Sequence, residues 1–138
     1  MNAAGEQAPI ALFAYRRPGH LRRALDSLAR NPLARESLLV IFCDGPRDPR
    51  DAAQVAEVRR IARSATGFRS LKVIEREQNL GLMASITDGV GRLTREHGRA
   101  IVVEDDLVVA PRFLEFMNLA LARYDNEPRV MQVSGYMY

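Results

Sequence analysis

Short apolar segments alternate with amphipathic ones along most of the chain, and this alternation restricts the fold more than any other feature. The apolar runs at 9–15 (PIALFAY) and 37–44 (SLLVIFCD) are typical of strands buried on both faces. Further strands are predicted at 70–76, 99–106 and 129–135. Because a helix-length segment separates each strand from the next, the pattern predicts a mainly parallel sheet with helices on both faces, a Rossmann-like α/β fold.

The segments between the strands carry apolar residues at helical spacing. They predict helices at about 18–30 and 49–65, a third ending near Gly98, and a fourth within 111–126. Pro18 suits the first turn of the first helix, and Asp48 can cap the second. The side chains predicted to face the core from the fourth helix are Phe113, Phe116, Met117, Ala120 and Tyr124.

The length of 138 residues fits one domain. We predict a flexible N-terminus at 1–8 and an α/β domain at 9–138, incomplete at its C-terminus because the aromatic ending VSGYMY has no helix after it. No apolar run approaches the roughly 20 residues that span a bilayer, and no secretory signal precedes the first strand. Cys43 is the single cysteine. These features favour a soluble, cytoplasmic protein without a membrane span.

The formal net charge of +3 raises the question of a nucleic-acid partner. The basic residues are almost all arginine, and acidic residues are interleaved with them throughout the chain. Dispersed charge of this kind indicates a solvated surface, so no nucleic-acid partner is predicted. Single arginines can still bind the phosphates of a small molecule.

Polar and charged side chains lie at the carboxyl ends of three of the predicted strands. Tyr15, Arg16 and Arg17 follow the first strand, Asp44 ends the second, and the stretch 104–106 (Glu-Asp-Asp) ends the fourth. Right-handed crossovers bring these ends to one edge of a parallel sheet, where open α/β sheets bind ligands. An edge with carboxylates and arginines suits a phosphorylated nucleotide bound with a metal ion.

Adjacent ionised acids repel one another, and a divalent cation removes that cost. Strand alternation turns Glu104 and Asp106 to one side and Asp105 to the other, which makes Glu104 and Asp106 the pair that faces a ligand. No Cys/His set accompanies them, so Mg²⁺ or Mn²⁺ fits better than zinc. A turn or the support of the following helix is the alternative for Asp105 and Asp106.

Other candidates have a structural and a functional interpretation. Asp44 lies in a turn-rich Asp-Gly sequence and serves either that turn or a ligand, in which case its carboxylate accepts hydrogen bonds from a nucleobase or ribose. Asn79 and Gly81 have two interpretations, as the start of a helix or as part of a ligand-facing loop. Gly89 and Gly91, inside a predicted helix, indicate close packing on the sheet.

The stretch VVEDDLVVAPRFLEF resembles the acidic signature of nucleotide-sugar glycosyltransferases with the glycosyltransferase A fold. The likeness is strongest to the N-acetylglucosaminyltransferase I family and its bacterial relatives. ALFAYRRPGHLRRALDSL is similar to the first strand and helix of the family-2-type transferases, and VIFCDG to their second strand. The family often has Asp or Asn before the arginine at position 17, where this chain has Arg16.

This resemblance implies transfer of a sugar from a nucleotide-diphosphate donor to an acceptor hydroxyl of a glycan, lipid or protein, with Mn²⁺ or Mg²⁺ as cofactor. It implies that Asp106 coordinates the metal, with Glu104 and Asp105 on ribose, sugar or metal-bound water. Asp44 would read the base and Arg17 would lie by the nucleotide. It also implies that residues 9–138 form a nucleotide-sugar-binding domain and that the catalytic base lies beyond the fifth strand, so this chain would supply the donor-binding half.

Two other classes share parts of this pattern. A receiver-like binding module also has an acidic pocket, but such modules place paired acids after the first strand, where this chain has Tyr-Arg-Arg. A nucleotidyltransferase shares the metal–phosphate chemistry but has a glycine-rich loop at that point, where this chain has Gly19 alone.

Overall fold

The computed structural model describes residues 6–136 and contains one four-stranded, all-parallel sheet. The strands are β1 (Ile10–Ala14), β2 (Leu38–Cys43), β3 (Ser70–Glu75) and β4 (Ile101–Glu104). Their order across the sheet is β3-β2-β1-β4. Every residue of β1 is buried, because β1 has a strand on each side and helices over both faces. The predicted α/β, Rossmann-like fold is confirmed.

The four helices are α1 (Pro18–Ala29), α2 (Ala52–Arg63), α3 (Leu82–His97) and α4 (Phe113–Tyr124). Short 3₁₀ helices precede β2 and α2, at Pro32–Glu36 and Pro49–Asp51. The predicted starts are confirmed: Pro18 occupies the first turn of α1, and the side chain of Asp48 accepts a hydrogen bond from the amide of Arg50 at 2.8 Å. Helix α3 ends at Gly98, whose φ of 77° is left-handed.

Two hydrophobic clusters fill the space above and below the sheet. The larger one packs α1, α2 and α4 against one face, with Leu12 and Ile41 among its buried strand residues. The smaller one packs α3 against the other face around Phe13 and Phe42, whose rings stack with centroids 5.0 Å apart. The missing side chain of Gly89 lets α3 approach these rings. The predicted close packing on the sheet is confirmed at Gly89 and wrong at Gly91, where an added Cβ would meet only the side chain of Arg95.

The predicted fifth strand at 129–135 is wrong. Residues 130–136 have no regular structure, and most of their side chains are exposed, including Met131 at 98%. The segment has the apolar content of a strand but no hydrogen-bonded neighbour in the sheet. A strand gains stability only from such a neighbour, so the local pattern was insufficient.

The orientation of α4 also differs in part from the prediction. Leu114 and Met117 are its buried residues, whereas Phe116 and Tyr124 are 52% and 43% exposed. Apolar residues surround most of this helix, so its sequence does not fix which stripe faces the sheet.

The described chain contacts the fold before residue 9. Ala8 is buried, and its amide donates to the side chain of Asn118 at 2.8 Å. Residues 1–5 of the N-terminus that was predicted to be flexible, and residues 137–138, lie outside the described part. No helix within residues 6–136 has both the length and the apolar character that crossing a bilayer requires.

Candidate functional site

The carboxyl ends of the four parallel strands lie on one edge of the sheet, and the chain order reverses at β1. From β1 the chain continues to β2 and β3 on one side, while β4 returns to the other side of β1. Open α/β sheets bind ligands in the crevice that such a reversal leaves. Arg17 follows β1, and Asp105 and Asp106 follow β4, so these residues lie at that crevice.

Arg17 bridges the first and fourth strands. Its Nη2 donates to Oδ1 of Asp105, and its Nη1 lies 3.5 Å from Oδ2 of Asp106. The amide of Asp105 donates to the carbonyl of Phe13 at 3.1 Å, which holds the residue beside β1 just past the end of β4. The repulsion within the acidic stretch is therefore already relieved in part by an arginine of the same chain.

The three acids occupy different environments. Asp105 is 3% exposed, and its Oδ2 has no hydrogen-bond partner among the described residues. Burial raises the pKa of Asp105, although the hydrogen bond from Arg17 opposes that shift. Glu104, the last residue of β4, is partly buried, whereas the side chain of Asp106 is 44% exposed. Asp106 is thus the acid most open to a ligand.

The loop after the acids is anchored to α1. Oγ of Ser27 accepts a hydrogen bond from the amide of Val109 at 3.1 Å. Asn31 is 2% exposed, and its Oδ1 accepts from the amide of Leu114 at 3.0 Å while its Nδ2 donates to the carbonyl of Ala110 at 3.2 Å. These contacts fix the second part of the loop, from Val109 to the first turn of α4. Sequence reasoning missed Ser27 and Asn31, and no local pattern marks them.

Asp44 joins the loops that follow β2 and β3. Its Oδ1 accepts from the amides of Gly45 at 3.0 Å and Leu80 at 2.9 Å. Its Oδ2 accepts from the amide of Gly81 at 3.0 Å and from Nδ2 of Asn79 at 3.2 Å. Two donors on each oxygen fill the acceptor capacity of a carboxylate. That Asp44 reads a nucleobase stays a prediction, and a base would have to replace one of these donors.

The same two loops touch through a glycine. A Cβ on Gly45 would lie 2.6 Å from the carbonyl carbon of Gln78, so only glycine fits there. Gly81, with φ of 77°, lies just before α3 and turns its amide to Asp44. Asn79 and Gly81 therefore belong to a loop that hydrogen bonds to Asp44 hold in place on the β2 side of the edge.

Asp51 organises the residues that follow β1. It is 2% exposed, and its carboxylate accepts hydrogen bonds from the hydroxyl of Tyr15, from Nη1 of Arg16 at 2.5 Å and from the amide of Arg47 at 3.3 Å. The hydrogen bond from Tyr15, followed by that from Arg16, lowers the pKa of Asp51 to about 2. The sequence marked Asp51 as an acid of a helix start and gave no sign of this cluster.

The predicted site residues thus form three groups along one edge. Glu104, Asp105 and Asp106 lie with Arg17 beside β4; Tyr15 and Arg16 are held by Asp51; and Asp44 holds Asn79 and Gly81. The adjacent arginines diverge, since Arg16 pairs on the β2 side and Arg17 on the β4 side. The structure does not bring Tyr15 or Arg16 to the acidic stretch by any direct hydrogen bond.

The acids of this edge suit a divalent cation that is held only in part by the protein. Within residues 6–136, no three His, Cys, Asp or Glu side chains converge as a ready-made metal cage. Mg²⁺ is commonly held by one or two carboxylates together with substrate phosphates and water. An exposed Asp106, a partly buried Glu104 and the partnerless Oδ2 of Asp105 fit that second mode.

No protein-family model matches the sequence. Among solved structures, the mannosyltransferase PcManGT from Pyrobaculum calidifontis, in complex with GDP-Man and Mn²⁺, aligns with a TM-score of 0.58 and 14% identity. The alignment covers 94% of this chain and 36% of that chain, so this chain spans little more than a third of the neighbour's length. The likeness identifies a glycosyltransferase-like α/β fold.

Protein Rv1636 from Mycobacterium tuberculosis H37Rv also aligns, with 16% identity over 93% of this chain and 98% of that chain. Its TM-score of 0.41 is too low to support an argument.

Proposed function

We propose that this chain binds a nucleotide-diphosphate sugar together with Mn²⁺ or Mg²⁺ and serves as the donor-binding part of a metal-dependent glycosyltransferase. The observation that carries the proposal is the meeting of Arg17 with Asp105 and Asp106 at the crevice between β1 and β4. At this crevice a guanidinium that can bind phosphate lies beside an exposed carboxylate that can bind a metal ion. The fold likeness to a mannosyltransferase whose structure is in complex with GDP-Man and Mn²⁺ supports the same assignment.

In this proposal the acidic stretch holds the metal. Asp106 would be the principal ligand because its side chain is open to solvent, and Glu104 would be the second. When bound, the metal would supply Lewis-acid stabilisation to the departing diphosphate. Arg17 would pair with a phosphate, since guanidinium matches phosphate geometry. Asp105, buried beside both, would hold Arg17 in position.

The other groups would shape the nucleotide pocket. Asp44 fixes the positions of Leu80 and Gly81 through their amides, so the loop before α3 presents a defined surface to a ligand. Asp51 holds Tyr15 and Arg16 at the end of β1. Base contacts in this proposal would come from these fixed loops and from Asp44. Donor binding is the step that the proposal assigns to this chain.

Calorimetric titration of GDP, UDP and other nucleoside diphosphates, with and without Mn²⁺, tests the proposal. We expect at least one nucleotide to bind more tightly with Mn²⁺ present. Asp106→Asn should remove the metal dependence while the circular dichroism spectrum stays that of the parent chain. Asp125→Asn, at an exposed acid after α4, is the matched control and should bind as the parent does. A folded chain that shows no metal-enhanced binding to any nucleotide contradicts the proposal.

A further inference from the structure

Arg17 also affects the charge around the acids to which the proposed function assigns the metal. Its guanidinium contacts the buried carboxylate of Asp105 and lies 3.5 Å from the exposed carboxylate of Asp106. The Arg17 side chain itself is 45% exposed. A positive charge therefore stands next to the acid that is best placed to bind a metal.

We propose that Arg17 is an internal counter-ion that makes metal binding at this edge depend on the nucleotide. The inference rests on the proposed function, because it concerns the same acids. A divalent cation on Asp106 would meet the positive charge of Arg17 at short range, and like charges so placed oppose binding. The metal alone therefore binds weakly.

A nucleoside diphosphate changes that balance. Its phosphates bring negative charge to the crevice and give Arg17 a second partner, which releases Asp106 to the metal. Metal and nucleotide then bind cooperatively, and each must raise the affinity of the other by the same factor. Arg17 thus acts on the metal indirectly, through the carboxylates, in addition to its contact with a phosphate.

The neighbouring arginine cannot take this role. Arg16 is tied by its Nη1 to Asp51 at 2.5 Å, on the β2 side of β1. Asp51 carries two further hydrogen bonds, from Tyr15 and from the amide of Arg47, so this cluster is held from several directions. Arg17 has enough exposed surface to turn away from Asp106. Asp105, the partner that it keeps, is fixed by burial and by the hydrogen bond from its amide to the carbonyl of Phe13.

The test is Mn²⁺ binding followed by electron paramagnetic resonance of the free ion, with and without saturating GDP or UDP. For the parent chain we expect weak binding of Mn²⁺ alone and clearly tighter binding with nucleotide. Arg17→Gln should tighten the binding of Mn²⁺ alone by about two- to fivefold, the scale of a half-exposed ion pair. The same variant should reduce the factor by which nucleotide improves Mn²⁺ binding.

Two further variants keep the result interpretable. Arg60→Gln removes the same charge from an exposed pair with Glu57 on α2 and should leave Mn²⁺ affinity unchanged. Arg17→Lys keeps the charge, so its affinity for Mn²⁺ alone should equal that of the parent. If Arg17→Gln does not fold, Arg17→Lys decides the matter: a higher affinity for Mn²⁺ alone overturns the inference, and an unchanged affinity supports it. Unchanged or weaker binding of Mn²⁺ alone by a folded Arg17→Gln also overturns the inference. If the parent chain itself shows no metal-enhanced nucleotide binding, that result contradicts the proposed function and not this inference alone.

Discussion

The carboxylate of Asp44 and the amide of Leu80 are 36 residues apart in the chain and 2.9 Å apart in space. Through this bond and its companion to Gly81, an acid at the end of β2 sets the conformation of the loop that leads from β3 to α3. Because the carboxylate is only 5% exposed, these bonds form away from bulk water. Asp44 is therefore a structural anchor of the candidate site in the described chain, whatever further contact it makes with a ligand.

Asp44→Asn should destabilise the fold by about 1–3 kcal/mol, the usual cost of leaving buried hydrogen-bonding groups unsatisfied. The amide nitrogen of asparagine cannot accept a hydrogen bond, so donors such as Gly81 would lose their partner. Urea denaturation measures the change. Glu77→Gln, at an exposed acid of the neighbouring loop, should stay within about 0.5 kcal/mol of the parent. A stable Asp44→Asn with lower affinity for one base only would favour base recognition over anchoring.

Asn31→Ala should destabilise the fold by about 1–3 kcal/mol, because the buried amide of Leu114 loses its acceptor. The effect should be local as well as global: the amides at 109–114 should exchange faster with deuterium, since Asn31 also holds the carbonyl of Ala110. Asn126→Ala, at an exposed position after α4, is the matched control. Unchanged exchange in this loop would show that Asn31 does not anchor it.

The sequence predicted the sheet because buried strands have a local signature. Parallel strands covered on both faces need continuous apolar runs, and those of β1 and β2 are such runs. The predicted strand at 129–135 (RVMQVSG) has fewer apolar residues and lacks a neighbouring strand, and no local pattern reveals that a neighbour is missing. The face of α4 was only partly predicted for a related reason, since Phe116 and Leu114 are equally apolar and only tertiary packing selects Leu114.

The edge that carries the site could be predicted from topology, but its hydrogen bonds could not. Parallel connections place Arg17 and Asp106 at the same edge whatever their partners are. Which arginine pairs with which acid depends on the direction of each side chain, and there Arg16 and Arg17 diverge. The crowded acids predicted a metal ion as the group that relieves their repulsion, whereas in the structure Arg17 also does so.

Gly89→Ala should destabilise the fold by about 1–3 kcal/mol, because an added Cβ would lie 2.7 Å from ring atoms of Phe13 and overpack the core. Gly91→Ala in the same helix is the matched control. Its Cβ would meet only the end of the Arg95 side chain, at 3.2 Å, which can move aside. The gain in helix propensity should then leave this variant neutral or up to about 1 kcal/mol more stable. Thermal unfolding of the pair measures both, and equal effects would contradict close packing at Gly89.

Asp51 should make the fold sensitive to acid. Its pKa is about 2 in the folded chain, against roughly 3.9 when unfolded. The folded state therefore gains stability from the ionised carboxylate above about pH 4, and this gain is lost as the pH falls from about 4 to about 2. The difference in unfolding free energy between the parent and Asp51→Asn should accordingly be constant at neutral pH and shrink over that interval.

Urea denaturation at a series of pH values measures this difference. Tyr15→Phe supplies a second check, because it removes the hydroxyl whose hydrogen bond contributes most to the low pKa of Asp51. In that variant the folded pKa should rise toward the unfolded value, so the Asp51-dependent loss of stability should be smaller and should end at a higher pH. A parent-minus-Asp51→Asn difference that stays the same from pH 7 to pH 2 would show that the carboxylate is not held ionised by Tyr15 and Arg16.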